Sequence, residues 1–140
     1  MKILYETSAL STGGRNGRVH VDNTPLHFEM ATPAEMGGNK AVGFTPEQLF
    51  AAGYAACFGS AIQHVLKTRR LSLPNPDVRA TVGLGKNESD DYQLAVKLTV
   101  TLRGVDQAEA ESIVAEAHQV CPYSRATRGN VEVTLVAKAE

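Results

Sequence analysis

The sequence predicts an α+β fold in which antiparallel sheets pack around two central helices. Three observations indicate it: a long apolar helix from Thr45 to about Arg69, a second helix after Asp106, and strand-like segments before, between and after them. The 140 residues fit a single domain, 1–140, which is long enough to bury a core without disulfides or structural metal.

Short strands and two loops are predicted before the long helix. The strand candidates are Ile3–Thr7, Val19–Val21 and Leu26–Met30. Ser8–Arg18 is polar, and its glycines place Arg15 and Arg18 on a loop. Thr32–Phe44 contains proline and a glycine pair, so we expect a loop that leads to the helix and could cover a site.

The long helix has strong start signals. Thr45 suits the N-cap, Pro46 suits the first helical position, and Gln48 completes a capping box. No charged residue occurs from Leu49 to Ile62, and most side chains there are small. The helix is therefore predicted to pack on nearly every side. Because one sheet covers only one side, we expect a dimer whose two sheets enclose the helices of both chains.

The second half of the chain predicts a hairpin, a helix and a closing strand. The strand candidates are Val78–Gly85, Tyr92–Leu102 and Val131–Val136. Asp106 is the expected N-cap of the second helix, with Glu109 at the capping-box position. Pro122 disfavours helical geometry at the residue before it, so Cys121 is predicted to lie at the helix end.

Composition excludes several classes of function. The net charge of −1 comes with scattered lysines and arginines and no basic stripe, which argues against nucleic acid as a partner. Met1–Glu6 lacks the apolar run of a signal peptide, and the apolar part of the long helix is short and rich in Gly and Ala for a membrane span. We therefore expect a cytoplasmic protein that does not act at a membrane.

The two cysteines are the candidates for chemistry. A lone cysteine such as Cys57, in the middle of an apolar helix, is most simply a small buried hydrophobe. In a reducing compartment, however, two cysteines without a CxxC motif favour a transient catalytic or sensing pair over a permanent bridge.

Three segments resemble the organic hydroperoxide resistance (Ohr) proteins of the Ohr/OsmC family: Pro46–Phe58, His118–Ser124 and Ala126–Asn130. Gly13–Arg18 stands in the place of that family's arginine loop, and the resemblance covers essentially the whole chain. It implies an OsmC/Ohr-like intertwined homodimer and a thiol-dependent peroxidase that reduces organic, lipid-like hydroperoxides.

The same resemblance implies roles for individual residues. Cys57 would be the peroxidatic cysteine and Cys121 the resolving one, with Arg15 and Glu47 as the activating pair; Arg18 matches a less certain position. A disulfide between the cysteines would be reduced again by an external dithiol, which the family indicates to be dihydrolipoyl groups on lipoylated proteins. No bound cofactor and no metal are implied.

Physical chemistry also requires a cation near Cys57. A thiolate attacks peroxides, and apolar surroundings disfavour that anion. No Lys or Arg lies within two turns of Cys57 on the helix, so Arg15 from its loop is a suitable supplier, oriented by Glu47. Glu47 precedes Cys57 by ten residues, or ~15 Å of unbroken helix. Either the helix breaks near Gly53 or Glu47 acts on the partner chain's cysteine.

Apolar side chains near these positions predict a pocket for an alkyl or acyl tail. The candidates are Met36, Phe44, Phe50, Tyr54 and Phe58. Each of them alone is also consistent with an ordinary core residue.

Two other kinds of protein remain open. A zinc site could be built from Cys57, Cys121, His64 and His118, although their spacing lacks a paired ligand motif. A non-catalytic thiol redox sensor or small-ligand-binding module on the same fold is the stronger alternative, because a fold does not establish turnover.

Overall fold

The computed structural model describes residues 1–39 and 42–140. These residues form two compact units, Met1–Leu49 and Phe50–Glu140. Each unit has its own three-stranded sheet, and helices accompany the second. The predicted α+β class is therefore confirmed.

The sheet of the first unit contains β1 (Ala9–Thr12), β2 (Arg18–Val21) and β3 (His27–Glu29), all antiparallel in that order. The predicted hairpin is confirmed as β2 and β3. The predicted strand Ile3–Thr7 is wrong, because the tight turn after Thr12 pairs β2 with residues 9–12 instead. Strand position is thus set by the available partner and the turn length.

The described residues between the first sheet and the helix are mostly irregular, as predicted for Thr32–Phe44. It contains a short 3₁₀ turn, Ala34–Met36. Lys40 and Ala41, which belong to the same predicted loop, lie outside the described residues. The backbone N–H of Phe44 donates to the carbonyl of Glu29 over 2.8 Å, which fixes the end of the loop beside β3.

Helix α1 spans Pro46–Thr68 and begins with the predicted capping box. The backbone N–H of Thr45 donates to Gln48 Oε1 over 2.8 Å, and that of Gln48 donates to Thr45 Oγ1 over 3.2 Å. The helix continues through Gly53, so the alternative of a break there is wrong. Among the described residues α1 is the one helix whose length and composition would suffice to cross a membrane, a test that core helices of soluble domains also meet.

Helix α1 buries one face against the described residues of this chain. The buried residues are Tyr54, Phe58, Ala61, Ile62, Val65 and Leu66. On the opposite face Ala52, Ala56 and Ser60 are exposed. The helix was predicted to pack on nearly every side, and the single chain covers one side of it.

The second unit adds a hairpin, two helices and a final strand. Its elements are β4 (Asp77–Lys86), β5 (Tyr92–Leu102), α2 (Gln107–Val120), α3 (Pro122–Thr127) and β6 (Glu132–Ala139). Strands β4 and β5 are antiparallel as predicted, whereas β6 pairs with β5 in parallel. The crossover through α2 and α3 returns the chain to the N-terminal end of β5, so β6 can run parallel to that strand.

Candidate functional site

Cys57 and Cys121 meet where α1, the end of α2 and the start of α3 come together. Both cysteines are free, and their Sγ atoms lie 3.6 Å apart. Cys57 is half-buried in the middle of α1, whereas Cys121 is fully buried. Their separation is longer than an S–S bond, which is about 2.05 Å, so a disulfide requires an approach of about 1.5 Å.

The surroundings of Cys57 act on its pKa in opposite directions. Burial raises the pKa of the Cys57 thiol, the backbone N–H of Tyr123 partly lowers it, and the neighbouring Cys121 thiol raises it again. Within the second unit, then, the thiolate gains one hydrogen-bond donor but is still disfavoured by desolvation.

The Tyr123 N–H belongs to a short helix that sequence reasoning missed. Helix α3 begins with Pro122 directly after Cys121, and it has six residues. Proline at the first helical position was the available signal, because its fixed φ suits a helix start. The same proline that ends α2 at Cys121 therefore also begins α3.

A buried group of hydroxyls joins α3 to α1. Tyr54 Oη lies 2.9 Å from Ser124 Oγ and 3.3 Å from Thr127 Oγ1. The Thr127 hydroxyl also donates to the carbonyls of Tyr123 and Ser124. None of these contacts was foreseen, because Tyr54 and Ser124 are 70 residues apart in the chain.

The predicted pocket residues of the second unit have different surroundings. Tyr54 and Phe58 are fully buried and belong to the core cluster against which Cys57 packs. Phe50 is half-buried and packs edge-on against Tyr54, with ring centroids 5.9 Å apart. The Tyr123 ring lies across Gly53, where an added Cβ would stand 3.2 Å from its hydroxyl oxygen. Contact of these aromatic residues with a substrate stays a prediction.

The first unit holds the predicted pair of Arg15 and Glu47. Arg15 donates through Nη1 to Glu47 Oε2 over 2.8 Å and through Nη2 to Oε1 over 2.5 Å. The Arg15 guanidinium holds the pKa of Glu47 below its ordinary value, although burial of the carboxylate opposes this. Gly13, in the left-handed region at φ 80°, opens the 3₁₀ turn Gly14–Asn16 that presents Arg15.

Met36 and Phe44, the other predicted pocket residues, also belong to the first unit. Met36 ends the 3₁₀ turn and is 39% exposed, and Phe44 is 47% exposed. The Phe44 ring packs edge-on against Phe28, with centroids 5.2 Å apart. Both side chains present apolar surface to solvent, and their part in a pocket stays a prediction.

Residues 1–39 and 42–140 contain no ligand cluster of the kind that the zinc alternative requires. No group of three or more His, Cys, Asp or Glu side chains there is arranged to hold a metal ion. His64 is exposed on α1. The ring of His118 lies near Phe58, and burial lowers the pKa of this histidine.

Fold and site together define an α+β protein that carries two free thiols close together at the meeting point of three helices. A family model described as OsmC-like protein matches residues 37–136. The chain is 45% identical over 138 residues to the organic hydroperoxide resistance protein-like 2 of Staphylococcus epidermidis, covering 98% of this chain and 97% of that one. It is 45% identical over 135 residues to the organic hydroperoxide resistance protein of Xanthomonas axonopodis pv. citri, covering 96% and 94%.

Solved structures agree with the sequence relatives. An organic hydroperoxide resistance protein from Elizabethkingia anophelis, crystallised with thiocyanate, superposes with a TM-score of 0.93 at 46% identity over the whole of both chains. OhrB of Bacillus subtilis superposes with a TM-score of 0.87 at 39% identity over 99% of this chain and 100% of the other. The chain belongs to the Ohr/OsmC family, as an Ohr-type member, and the resemblance seen in its cysteine segments is confirmed.

Proposed function

We propose that this protein is a cysteine-based peroxidase that reduces organic, lipid-like hydroperoxides to alcohols and thereby defends the cell against organic peroxide stress. One observation carries the proposal: two free thiols 3.6 Å apart, one half-buried and one buried. The name of relatives at 45% identity supports the substrate class.

The proposed cycle starts at Cys57. Its thiolate attacks one peroxide oxygen, the O–O bond breaks, and the alcohol leaves with a proton while Cys57 becomes a sulfenic acid. The Cys121 sulfur then attacks the Cys57 sulfur, water leaves, and a disulfide forms. Because Cys121 is already within 3.6 Å, this step competes well with further oxidation of Cys57.

An external dithiol closes the cycle. It reduces the Cys57–Cys121 disulfide and is itself oxidised to a disulfide. The family resemblance indicates dihydrolipoyl groups on a lipoylated protein as this dithiol. The cycle calls for no bound cofactor or metal, and reduced thiols of this kind fit the cytoplasm.

Activation of Cys57 is assigned to Arg15 and Glu47 in a homodimer. Glu47 holds both Nη atoms of Arg15 and precedes Cys57 by ten residues on an unbroken helix, which corresponds to about 15 Å along the helix axis. We assign the pair to Cys57 of the partner subunit. The exposed small residues of α1 and a cavity of about 680 Å³ beside Ala51, Ala52 and Ala55 support close packing of a second chain.

The substrate tail is assigned to apolar side chains. We propose Met36, Phe44 and Phe50 as contact residues, since each of them offers exposed or half-exposed apolar surface. Tyr54 and Phe58, which are fully buried, would shape the pocket wall instead.

The test is steady-state turnover of a lipophilic hydroperoxide, such as cumene hydroperoxide, with dihydrolipoamide as reductant. We expect multiple turnovers, slower consumption of hydrogen peroxide, and little activity with glutathione or thioredoxin. Cys57→Ser is the matched inactive control. Absence of turnover with every reductant, alongside stoichiometric oxidation of the thiols, would instead indicate a redox sensor.

A further inference from the structure

Three buried hydroxyls link the helices that carry the two cysteines, and the proposed cycle gives these hydroxyls no part. Tyr54 and Ser124 are completely buried, and Thr127 is 5% exposed. Buried polar groups are costly unless they are hydrogen-bonded. All three are bonded to one another or to α3, so they form a complete network, which we call the hydroxyl network.

The hydroxyl network joins α1 to α3. Thr127 donates to the backbone carbonyls of Tyr123 and Ser124, so its Oγ1 can accept from Tyr54. In the bond between Tyr54 and Ser124 either hydroxyl can be the donor. Tyr54 is the one member of the network that belongs to α1, so it holds α3 to that helix.

The bond between Tyr54 and Ser124 lies close in sequence to both cysteines. Tyr54 is three residues before Cys57, and Ser124 is three residues after Cys121, so each partner stands about one helical turn from its cysteine. Helix α3 also carries the Tyr123 backbone N–H, which lowers the pKa of Cys57. A shift of α3 along α1 would change both the distance between the sulfurs and that hydrogen bond.

We propose that Tyr54, with Ser124 and Thr127, is a positioning residue that sets the distance and orientation of Cys121 relative to Cys57. This role rests on the proposed function for its biological meaning, since it determines how readily the disulfide forms after peroxide attack. Among the described residues no hydrogen bond joins the network to either sulfur, so we assign its effect to the placement of α3.

The test is the equilibrium between the dithiol and glutathione, in which oxidised glutathione takes both cysteine protons, the Cys57–Cys121 bond forms, and two reduced glutathiones are released. This equilibrium measures the effective concentration of one thiol at the other and needs no peroxide. Tyr54→Phe keeps the ring and removes one oxygen. We expect the effective concentration to fall about tenfold, equivalent to about 30 mV in the reduction potential.

Two more variants separate positioning from general loss of stability. Ser124→Ala should also lower the effective concentration, by no more than Tyr54→Phe does, because it leaves the bond between Tyr54 and Thr127 in place. The double variant Tyr54→Phe with Ser124→Ala should fall no further than Tyr54→Phe alone, which already removes both bonds. Tyr92→Phe, at a tyrosine 70% exposed on β5, is the matched control and should match wild type. All are measured well below their unfolding temperatures; if Tyr54→Phe does not fold, Ser124→Ala carries the test.

Additive effects, or a folded variant whose effective concentration stays within twofold of wild type, would overturn the positioning role. The second readout is thiolate absorbance against pH in a Cys121→Ser background. Replacing Tyr54 by Phe should displace α3 and weaken the hydrogen bond from the Tyr123 N–H to Cys57, so the pKa of Cys57 should rise. If the wild type fails to turn over hydroperoxides while the network variants shift the glutathione equilibrium, the proposed function falls and the positioning role stands.

Discussion

The Sγ atoms of Cys57 and Cys121 lie 3.6 Å apart although 64 residues separate them in the chain. One belongs to the middle of a helix and the other to the junction of two helices. Each sulfur therefore has a fixed backbone on its side, so the disulfide can form with little change in fold.

The first prediction distinguishes the two cysteines. Cys57→Ser should abolish peroxidase activity, because it removes the attacking thiolate. Cys121→Ser should still consume one equivalent of hydroperoxide per chain and then stall or over-oxidise, because the sulfenic acid has no internal thiol to condense with. Rapid-mix peroxide consumption and the mass of Cys57 check this. Multiple turnover by Cys57→Ser would contradict the assignment.

The second prediction concerns Arg15. Arg15→Ala should raise the pKa of Cys57 and slow peroxide attack at neutral pH by about tenfold or more, since the proposed function makes Arg15 the cation beside a thiolate that burial disfavours. Arg15→Lys should recover only part, because lysine lacks the planar fork with which Nη1 and Nη2 of Arg15 each hold one carboxylate oxygen of Glu47. Thiolate absorbance against pH measures the effect.

Lys67→Ala supplies the control for Arg15→Ala, since it removes one exposed positive charge from the last turn of α1. An unchanged Cys57 titration in Arg15→Ala would transfer the activating role to Arg18, Arg125, Arg128 or a helix terminus.

The third prediction concerns the pH dependence of stability. The pKa of Glu47 is lowered in the folded protein from an ordinary value of 4.5, so the Arg15 pair stabilises the fold above pH 4.5 and loses this effect as pH falls through the lowered pKa. Glu47→Gln should therefore reduce the free energy of unfolding by about 1–2 kcal/mol at pH 7. The difference from wild type should vanish in acid.

Urea unfolding at several pH values measures the Glu47 effect. Asp77→Asn is the comparison, because Asp77 pairs with Arg103 on the open surface and should change stability little at any pH. A Glu47→Gln deficit that persisted in acid would point to lost packing and not to the ion pair.

The fourth prediction places the site across two chains. A mixed dimer is formed from one Cys57→Ser subunit and one Glu47→Ala subunit. If Arg15 and Glu47 serve the partner's cysteine, the remaining Cys57 faces an intact pair and about half of wild-type activity should appear. If each chain activates its own Cys57, the mixed dimer should be nearly inactive. The two homodimers of the single variants are the baselines.

Local signals predicted much of this fold. The capping box at Thr45, the Asp106 cap and the long hairpin after Asp77 depend on neighbouring residues, and all three are present. The strand at Ala9–Thr12 and the parallel pairing of β6 depend on distant partners, which no local pattern specifies.

In the candidate site, too, local sequence predicted some features and distant contacts determined the others. Cys121 at a helix end followed from Pro122, and the loop position of Arg15 followed from its glycines. The bonds of Tyr54 to Ser124 and Thr127 did not, since apolar patterning classifies a tyrosine as core and says nothing of the partner of its hydroxyl.

The unequal burial of the two cysteines would give the proposed reduction step a direction. In the single chain Cys57 is partly exposed and Cys121 is fully buried. In the proposed cycle an incoming thiolate would therefore meet Cys57, form the mixed disulfide there and expel Cys121 as the leaving group. The sulfur that takes oxygen from the substrate would then also be the sulfur through which electrons enter, so one opening in the surface would serve both halves of the cycle in turn.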